Sequence, residues 1–377
     1  MNPQFVANPD DLERALDRID EAIVGVDVER ADAPRYYRTA ALIQVGTPDH
    51  AVLVDSVAMD PVPMLSEFLE ARTSILHAVT NDLEPMRAVG VEVGSIHDTA
   101  VAAALLGLPT GLDPLLQELL DVALSPDKDR FQRANWEQRP LPDDMAAYAA
   151  GDVLHLEALW EELATRLDDT GRRAWYDEEI TAVVDTAFDD NRDWTRTKGV
   201  GRLSPQQRAV CRELWEEREA IAREFDLAPN RVLREAALVD LATNPAEDVP
   251  RLIRRNQRRG RPSLAHGERL FEAQQRGMDA PPEPKDNGGT SWDPHDRDAY
   301  DAMRRARAAV AKDMGLDAGV LCPSRALWAP ARGNPQDPAE LCAQAGLRTW
   351  QADLLGDVLW EAWVEAHGDG DGDADGA

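Results

Sequence analysis

AIVGVDV, residues 22–28, is a compact run of apolar and β-branched side chains, the pattern of a buried strand. Just upstream, DLERALDRID (11–20) has helical spacing. Downstream, ALIQVG (41–46) and HAVLVDSV (50–57) read as two more strands. Their tight link at Thr47-Pro48-Asp49 predicts an antiparallel pair. Met64–Ala71 reads as a helix and SILHAV (74–79) as another buried strand. Helices then alternate with short strands to about Leu167. This order predicts an α/β domain with a mixed sheet and helices on both faces.

Beyond about residue 170 the strand signals fade. Residues 205–278 read as several amphipathic helices, and 279–295 (DAPPEPKDNGGTSWDPH) as a linker rich in Pro, Gly and Asp. Residues 296–367 are helical again. GDGDGDADGA (368–377) reads as a disordered acidic tail. Asp369, Asp371 and Asp373 alternate as in a calcium loop, but no Glu or helix follows where such a loop needs one. The expected divisions are therefore 1–180, 203–278 and 296–367, consistent with two or three domains in 377 residues.

The net charge of −29 argues against nucleic acid, but its distribution changes that. Residues 1–200 carry 39 acids and 17 bases, 201–350 carry 23 acids and 24 bases, and the last 27 carry eight acids and no base. A phosphate-binding surface therefore belongs mainly to 201–350. Cys211, Cys322 and Cys342 stand too far apart for metal or redox spacing and read as free thiols. No His-x-x-x-His pair is present to hold zinc. No run of eighteen apolar residues predicts a membrane span, and MNPQFVANPDDLERAL lacks the layout of a secretory signal. A cytoplasmic location is the expectation.

Within the first half, Asp27 and Glu29 stand at i and i+2 at the end of an apolar strand, so both carboxylates share one face. Like charges so held repel unless a cation neutralises them. In LHAVTNDLEPM (76–86) a buried strand runs out into Asp82 just before a helix, where a plain N-cap is the alternative reading. MAAYAAGDVLHLEALWEEL (145–163) reads as one long helix with Tyr148 and Asp152 at i and i+4 on one face, among small residues. Each signal alone is ordinary. Together they put four carboxylates at the ends of successive α/β elements, where open sheets build their sites. Such a set suits two divalent cations and in-line attack of water on a phosphodiester.

The pattern resembles the ribonuclease D family of the DEDD exonuclease superfamily, tyrosine subtype. The resembling stretches are VDVER (26–30) with RYYRTAALIQV (35–45), LHAVTNDLEPMRAVG (76–90), IHDTAVAAALLGLP (96–109) and NWEQRPLPDDMAAYAAGDVLHL (135–156). The resemblance implies a ribonuclease H-like mixed sheet with flanking helices. It also implies that Asp27, Glu29 and Asp152 hold the metal that activates water. Asp27 would bridge to a second metal near Asp82, and Tyr148 would position the water. The cofactor it implies is Mg²⁺ or Mn²⁺, and the reaction is removal of single nucleotides from RNA 3′ ends, notably in transfer-RNA maturation. Val28, where many relatives have Thr, should point away from the metals, whereas RFQRAN (130–135) departs from the family pattern in a region of substrate contact. Lys128 and Arg139 are candidate phosphate contacts; His77, Asp98 and Trp136 are candidates for support, capping and core.

LSPQQRAVCRELWEEREAIAREFDLAPNRVLREAALVDLATNP (203–245) resembles the helicase-and-ribonuclease-D C-terminal (HRDC) module. After it come Arg251, Arg254, Arg255, Arg258, Arg259 and Arg261, an edge suited to gripping phosphate. RRARAAVAKDMGLDAGVLCPSRALWAPARGNP (304–335) parallels residues 218–245, so two all-α helical bundles are expected. Arg304, Arg305 and Arg307 form a smaller basic cluster, and Trp215, Trp328, Trp350, Trp360 and Trp363 fit core positions. Three functions compete. The first is an exoribonuclease. The second is a 3′→5′ DNA exonuclease in repair, left open because nothing here fixes a 2′-hydroxyl contact. The third is a catalytically silent nucleic-acid-binding scaffold, which would need a missing carboxylate.

Overall fold

The computed structural model describes residues 3–30, 35–59, 63–124, 128–131, 134–186, 192–255, 264–284 and 294–368. Six strands form one mixed sheet: β1 (Gln4–Val6), β2 (Ile23–Arg30), β3 (Ala40–Gly46), β4 (Ala51–Val54), β5 (Thr73–Leu76) and β6 (Ser95–Asp98). Their order is β1-β4-β3-β2-β5-β6. The β2–β3 and β3–β4 pairs are antiparallel, and the other neighbours are parallel. Every residue of β3 and β4 is buried, so helices cover both faces. β1 was not expected, because three residues are too few to show period two.

Two strands end sooner than their hydrophobic runs suggest, for a polar reason in each case. β4 stops at Val54 because the Asp55 carboxylate accepts from the backbone N–H groups of Val57 and Ala58. β5 stops at Leu76 because buried Asp98 accepts from the N–H groups of Ala78 (3.0 Å) and Val79 (2.9 Å). Ala78 is thereby held in the left-handed region at φ 64°, and a 3₁₀ turn, Val79–Asn81, follows. That turn delivers Asp82.

The helix expected over 145–163 is two helices, Asp143–Leu154 and Leu156–Asp169, parted at His155 (φ −112°, ψ 1°). The break lies on a pair of glycines. Gly25 of β2 and Gly46 of β3 are cross-strand partners. A Cβ on Gly25 would stand 2.4 Å from the Val153 carbonyl oxygen, and one on Gly46 2.5 Å from Val153 Cγ2. Only glycines let the helix seat this deeply.

The second half is all helix among the described residues. Pro205–Glu224, Pro229–Val232, Glu235–Thr243, Val249–Arg255 and Leu264–Asp279 make a first set. Pro294–Met314, Ala318–Leu321, Trp328–Arg332, Pro338–Gln344 and Thr349–Gly368 repeat the same order of long and short helices. The first set has its own core. The core of the second is continuous with that of the sheet. Most of the expected linker and almost all of the acidic tail lie outside the described residues. No described helix is long and apolar enough to cross a membrane. The three cysteines are free and buried.

Candidate active site

β2 presents Asp27 and Glu29 on the face roofed by the helix Asp143–Leu154, and that helix brings Asp152 down to them. One carboxylate oxygen from each of Asp27, Glu29 and Asp152 lies within 4.8 Å of the others. Asp82 precedes the helix Leu83–Ala88, yet its side chain makes no capping hydrogen bond. It is only 4% exposed, and its Oδ2 is buried without a partner.

Electrostatics follow from this crowding. Burial pushes the Asp27 carboxyl up to about 6, against one favourable bond from the Val28 N–H. Burial, with Asp27, Asp152 and Asp82 adding repulsion, pushes Glu29 up to about 10. Asp82 is also raised well above the usual carboxylate range, by burial and then by Asp27 and Asp98. Buried carboxylates are ordinarily paired or hydrogen-bonded. Here the natural counter-charge is a cation, and all-oxygen ligands suit a hard divalent one. The orphaned Asp82 oxygen and the three converging carboxylates therefore fit a divalent metal site.

Tyr148 donates its hydroxyl hydrogen bond to Asp152, and burial followed by the Asp152, Glu29 and Asp27 charges keeps the phenol protonated. Its ring packs against Phe131 (centroids 4.9 Å apart) and Trp136 (6.2 Å). Trp136 is core, with Nε1 donating to the Phe131 carbonyl at 3.1 Å. A cleft of about 240 Å³ lined by Leu124, Phe131, Ala147, Tyr148, Gly151 and Asp152 opens beside these groups.

Asp98 is the expected cap, accepting from the Ala100 and Val101 N–H groups, and it also braces the turn before Asp82. His77 Nδ1 lies 2.9 Å from Thr99 Oγ1. Arg139 is corrected from phosphate contact to brace. A guanidinium has five N–H groups, and here they serve Asp55 (2.5 and 2.6 Å) and the carbonyls of Ala41, Trp136 and Gln138. Arg251 is ion-paired with Glu247, and Arg254 is exposed. The side chains of Lys128 and Arg255, and all of Arg258, Arg259 and Arg261, lie outside the described residues. Arg307 leaves the expected basic cluster: it is buried and bonded to the Cys322 carbonyl and Ser324. Trp328 is 48% exposed rather than core. Two features went unread in the sequence. One is the glycine pair, signalled by glycines inside β-branched strands. The other is the place of Gln44, quoted within RYYRTAALIQV (35–45) but given no role there: it is the direct cross-strand partner of Asp27.

A family model for a 3′–5′ exonuclease domain matches residues 3–168, and one for the HRDC domain matches residues 207–254. The chain is 32% identical to ribonuclease D of Pseudomonas paraeruginosa, over 91% of this chain and 92% of that protein. It is likewise 32% identical to ribonuclease D of Nitrobacter hamburgensis, over 68% and 69% of the two chains. Among solved structures, Escherichia coli RNase D has the same fold, with a TM-score of 0.77, 24% identity, and coverage of 97% of this chain and 99% of that one. The order of motifs, the acidic cluster they build and these matches along nearly the whole length agree, and the chain belongs to the ribonuclease D family of 3′→5′ exonucleases.

Proposed function

We propose that the protein shortens RNA from its 3′ end one nucleotide at a time, using two divalent cations, Mg²⁺ or Mn²⁺, with structured RNAs such as transfer-RNA precursors as substrates in the cytoplasm. The convergence of Asp27, Glu29 and Asp152 within 4.8 Å, beside the orphaned Asp82 oxygen, carries this reading. Bound cations supply Lewis-acid stabilisation and lower the pKa of water. Asp27, Glu29 and Asp152 would hold one cation, and Asp27 with Asp82 would hold the second. Tyr148 stays protonated and orients the attacking water through its hydroxyl, itself fixed by Asp152. The side cleft receives the terminal nucleotide.

The division into 1–180, 203–278 and 296–367 is part of this proposal, with 296–367 a second HRDC-like module. Arg218 and Arg307 support it. Both are buried, and each precedes a leucine whose N–H bonds back to an alanine carbonyl at 2.9 Å (Leu227 to Ala222, Leu316 to Ala311). The arginine run at 251–261 grips the RNA backbone.

The test is a time course on a 5′-labelled RNA with a 3′ overhang, in Mg²⁺, Mn²⁺ and EDTA. Metal-dependent shortening by single nucleotides is expected, with a loss on the order of 10³-fold in Asp27→Asn and Asp152→Asn. Intact RNA with the wild type would overturn the reading, and faster cutting of a matched DNA would transfer it to the DNA exonuclease alternative.

A further inference from the structure

Gln44 is fully buried, and neither its amide nitrogen nor its amide oxygen has a hydrogen-bond partner. It sits in the middle of β3, where every neighbour is buried. A buried amide without partners destabilises a fold, and an apolar side chain of the same shape would be better tolerated. Where a chain breaks such a local rule, a functional site is the usual reason.

Its place supplies that reason. Gln44 lies directly opposite Asp27 in the antiparallel β2–β3 pair. Residues so paired project to the same face, with Cβ atoms roughly 4.5–5.5 Å apart. Its diagonal neighbours on β2 are Gly25 and Glu29. Two residues along β3, Gly46 touches Val153, the neighbour of Asp152, so the helix that carries Asp152 roofs the same face. On its other side β4 offers Leu53, which has no polar side chain to share. The polar side chain directly across from the amide is therefore a carboxylate of the acidic cluster.

We infer that Gln44 is a positioning residue for the metal site: its unpartnered amide stands across from Asp27, and with a cation bound its N–H would donate to the Asp27 carboxylate and fix which oxygen faces that cation. Gln44 touches neither substrate nor reacting atoms and acts through Asp27. Partners of this kind set ligand orientation and typically change metal affinity or activity by about 10–100-fold when removed. The inference rests on the acidic cluster being a metal site.

The experiment compares wild type, Gln44→Met and Asp27→Asn as full chains. Mn²⁺ affinity is measured by titration calorimetry, melting temperature in EDTA by scanning calorimetry, and kcat and KM on the labelled RNA. Gln44→Met keeps the volume and removes both polar atoms. Expected are Mn²⁺ binding about tenfold or more weaker, a lower kcat with KM little changed, and a melting temperature in EDTA equal to or above that of wild type. Unchanged Mn²⁺ affinity and kcat in Gln44→Met would overturn the inference while leaving the proposed function standing. A Gln44→Met chain that melts below wild type in EDTA would make the amide a structural group and also overturn it. A wild type that neither binds Mn²⁺ nor cuts RNA would instead defeat the proposed function.

Discussion

Glu29 is held against its charge, because burial and three neighbouring carboxylates all oppose ionisation and push its pKa up to about 10. Between about pH 4.5 and 10 the folded chain therefore keeps a proton on Glu29 that the unfolded chain releases. Its contribution favours folding at low pH and is lost as pH rises through that window. In EDTA, the loss of stability from pH 6 to 8.5 should be shallower in Glu29→Gln than in wild type. The variant should also be the more stable by about 1–3 kcal/mol at pH 8.5, although inactive. Parallel melting-temperature curves for the two would contradict this. At this scale the sequence was informative about chemistry and blind to placement. Residue type and spacing singled out Asp27, Glu29, Asp82, Tyr148 and Asp152, and the structure brings Asp27, Glu29 and Asp152 within 4.8 Å of one another. Arg139 was misread, because only the fold shows Asp55 and three carbonyls waiting for its guanidinium.

At the scale of elements, the seat of one helix decides whether the acidic cluster exists. Gly25 and Gly46 let Asp143–Leu154 descend far enough for Asp152 to reach Asp27 and Glu29. Gly46→Ala places a methyl group against Val153 and should lift that helix. A stability loss of about 1–3 kcal/mol is expected. With it should come a fall in kcat of about 10²-fold, since small displacements of reacting groups are that costly. Urea unfolding and steady-state kinetics on RNA would check both, and wild-type kcat in Gly46→Ala would show that the close seat is dispensable. The strands β2 and β3 were legible because apolar runs of that length have few other fates. The ends of β4 and β5 were not. They are set by Asp55 and Asp98, whose carboxylates capture backbone N–H groups that the hydrophobic pattern would have left to the sheet.

Across the whole molecule, the two helical sets attach to the catalytic domain in different ways. The later set joins its core, with Trp350 stacked on Trp175 at 4.7 Å and Glu178 accepting from the Thr349 and Trp350 N–H groups. The earlier set keeps a separate core but takes in Tyr36 from the loop after β2. Tyr36 is 5% exposed; Arg223 donates to its hydroxyl at 2.9 Å and Arg192 lies over its ring at 4.0 Å. Asp226 accepts from the Tyr36 and Tyr37 N–H groups, while Arg35 pairs with Glu137 and Arg38 with Glu84. Scanning calorimetry of Tyr36→Ala should resolve two transitions, the lower one belonging to residues 192–284. A single transition in that variant would show one cooperative unit. The sequence suggested a repeat, but not which helical set would merge with the sheet, because Trp175, Glu178 and Glu179 look like ordinary helix-surface residues until Trp350 and Thr349 meet them. The tie between Tyr36 and Asp226 spans 190 positions in the chain. During translation all four carboxylates have been made once Asp152 has been added, and Glu84 and Glu137 are already there for Arg38 and Arg35, yet the Tyr36 and Tyr37 N–H groups do not meet their acceptor until Asp226 follows. At bacterial and eukaryotic elongation rates that interval is on the order of 4–15 seconds. For that time the newborn chain carries its four carboxylates without that clasp, while the messenger that encodes it is still threaded through the ribosome.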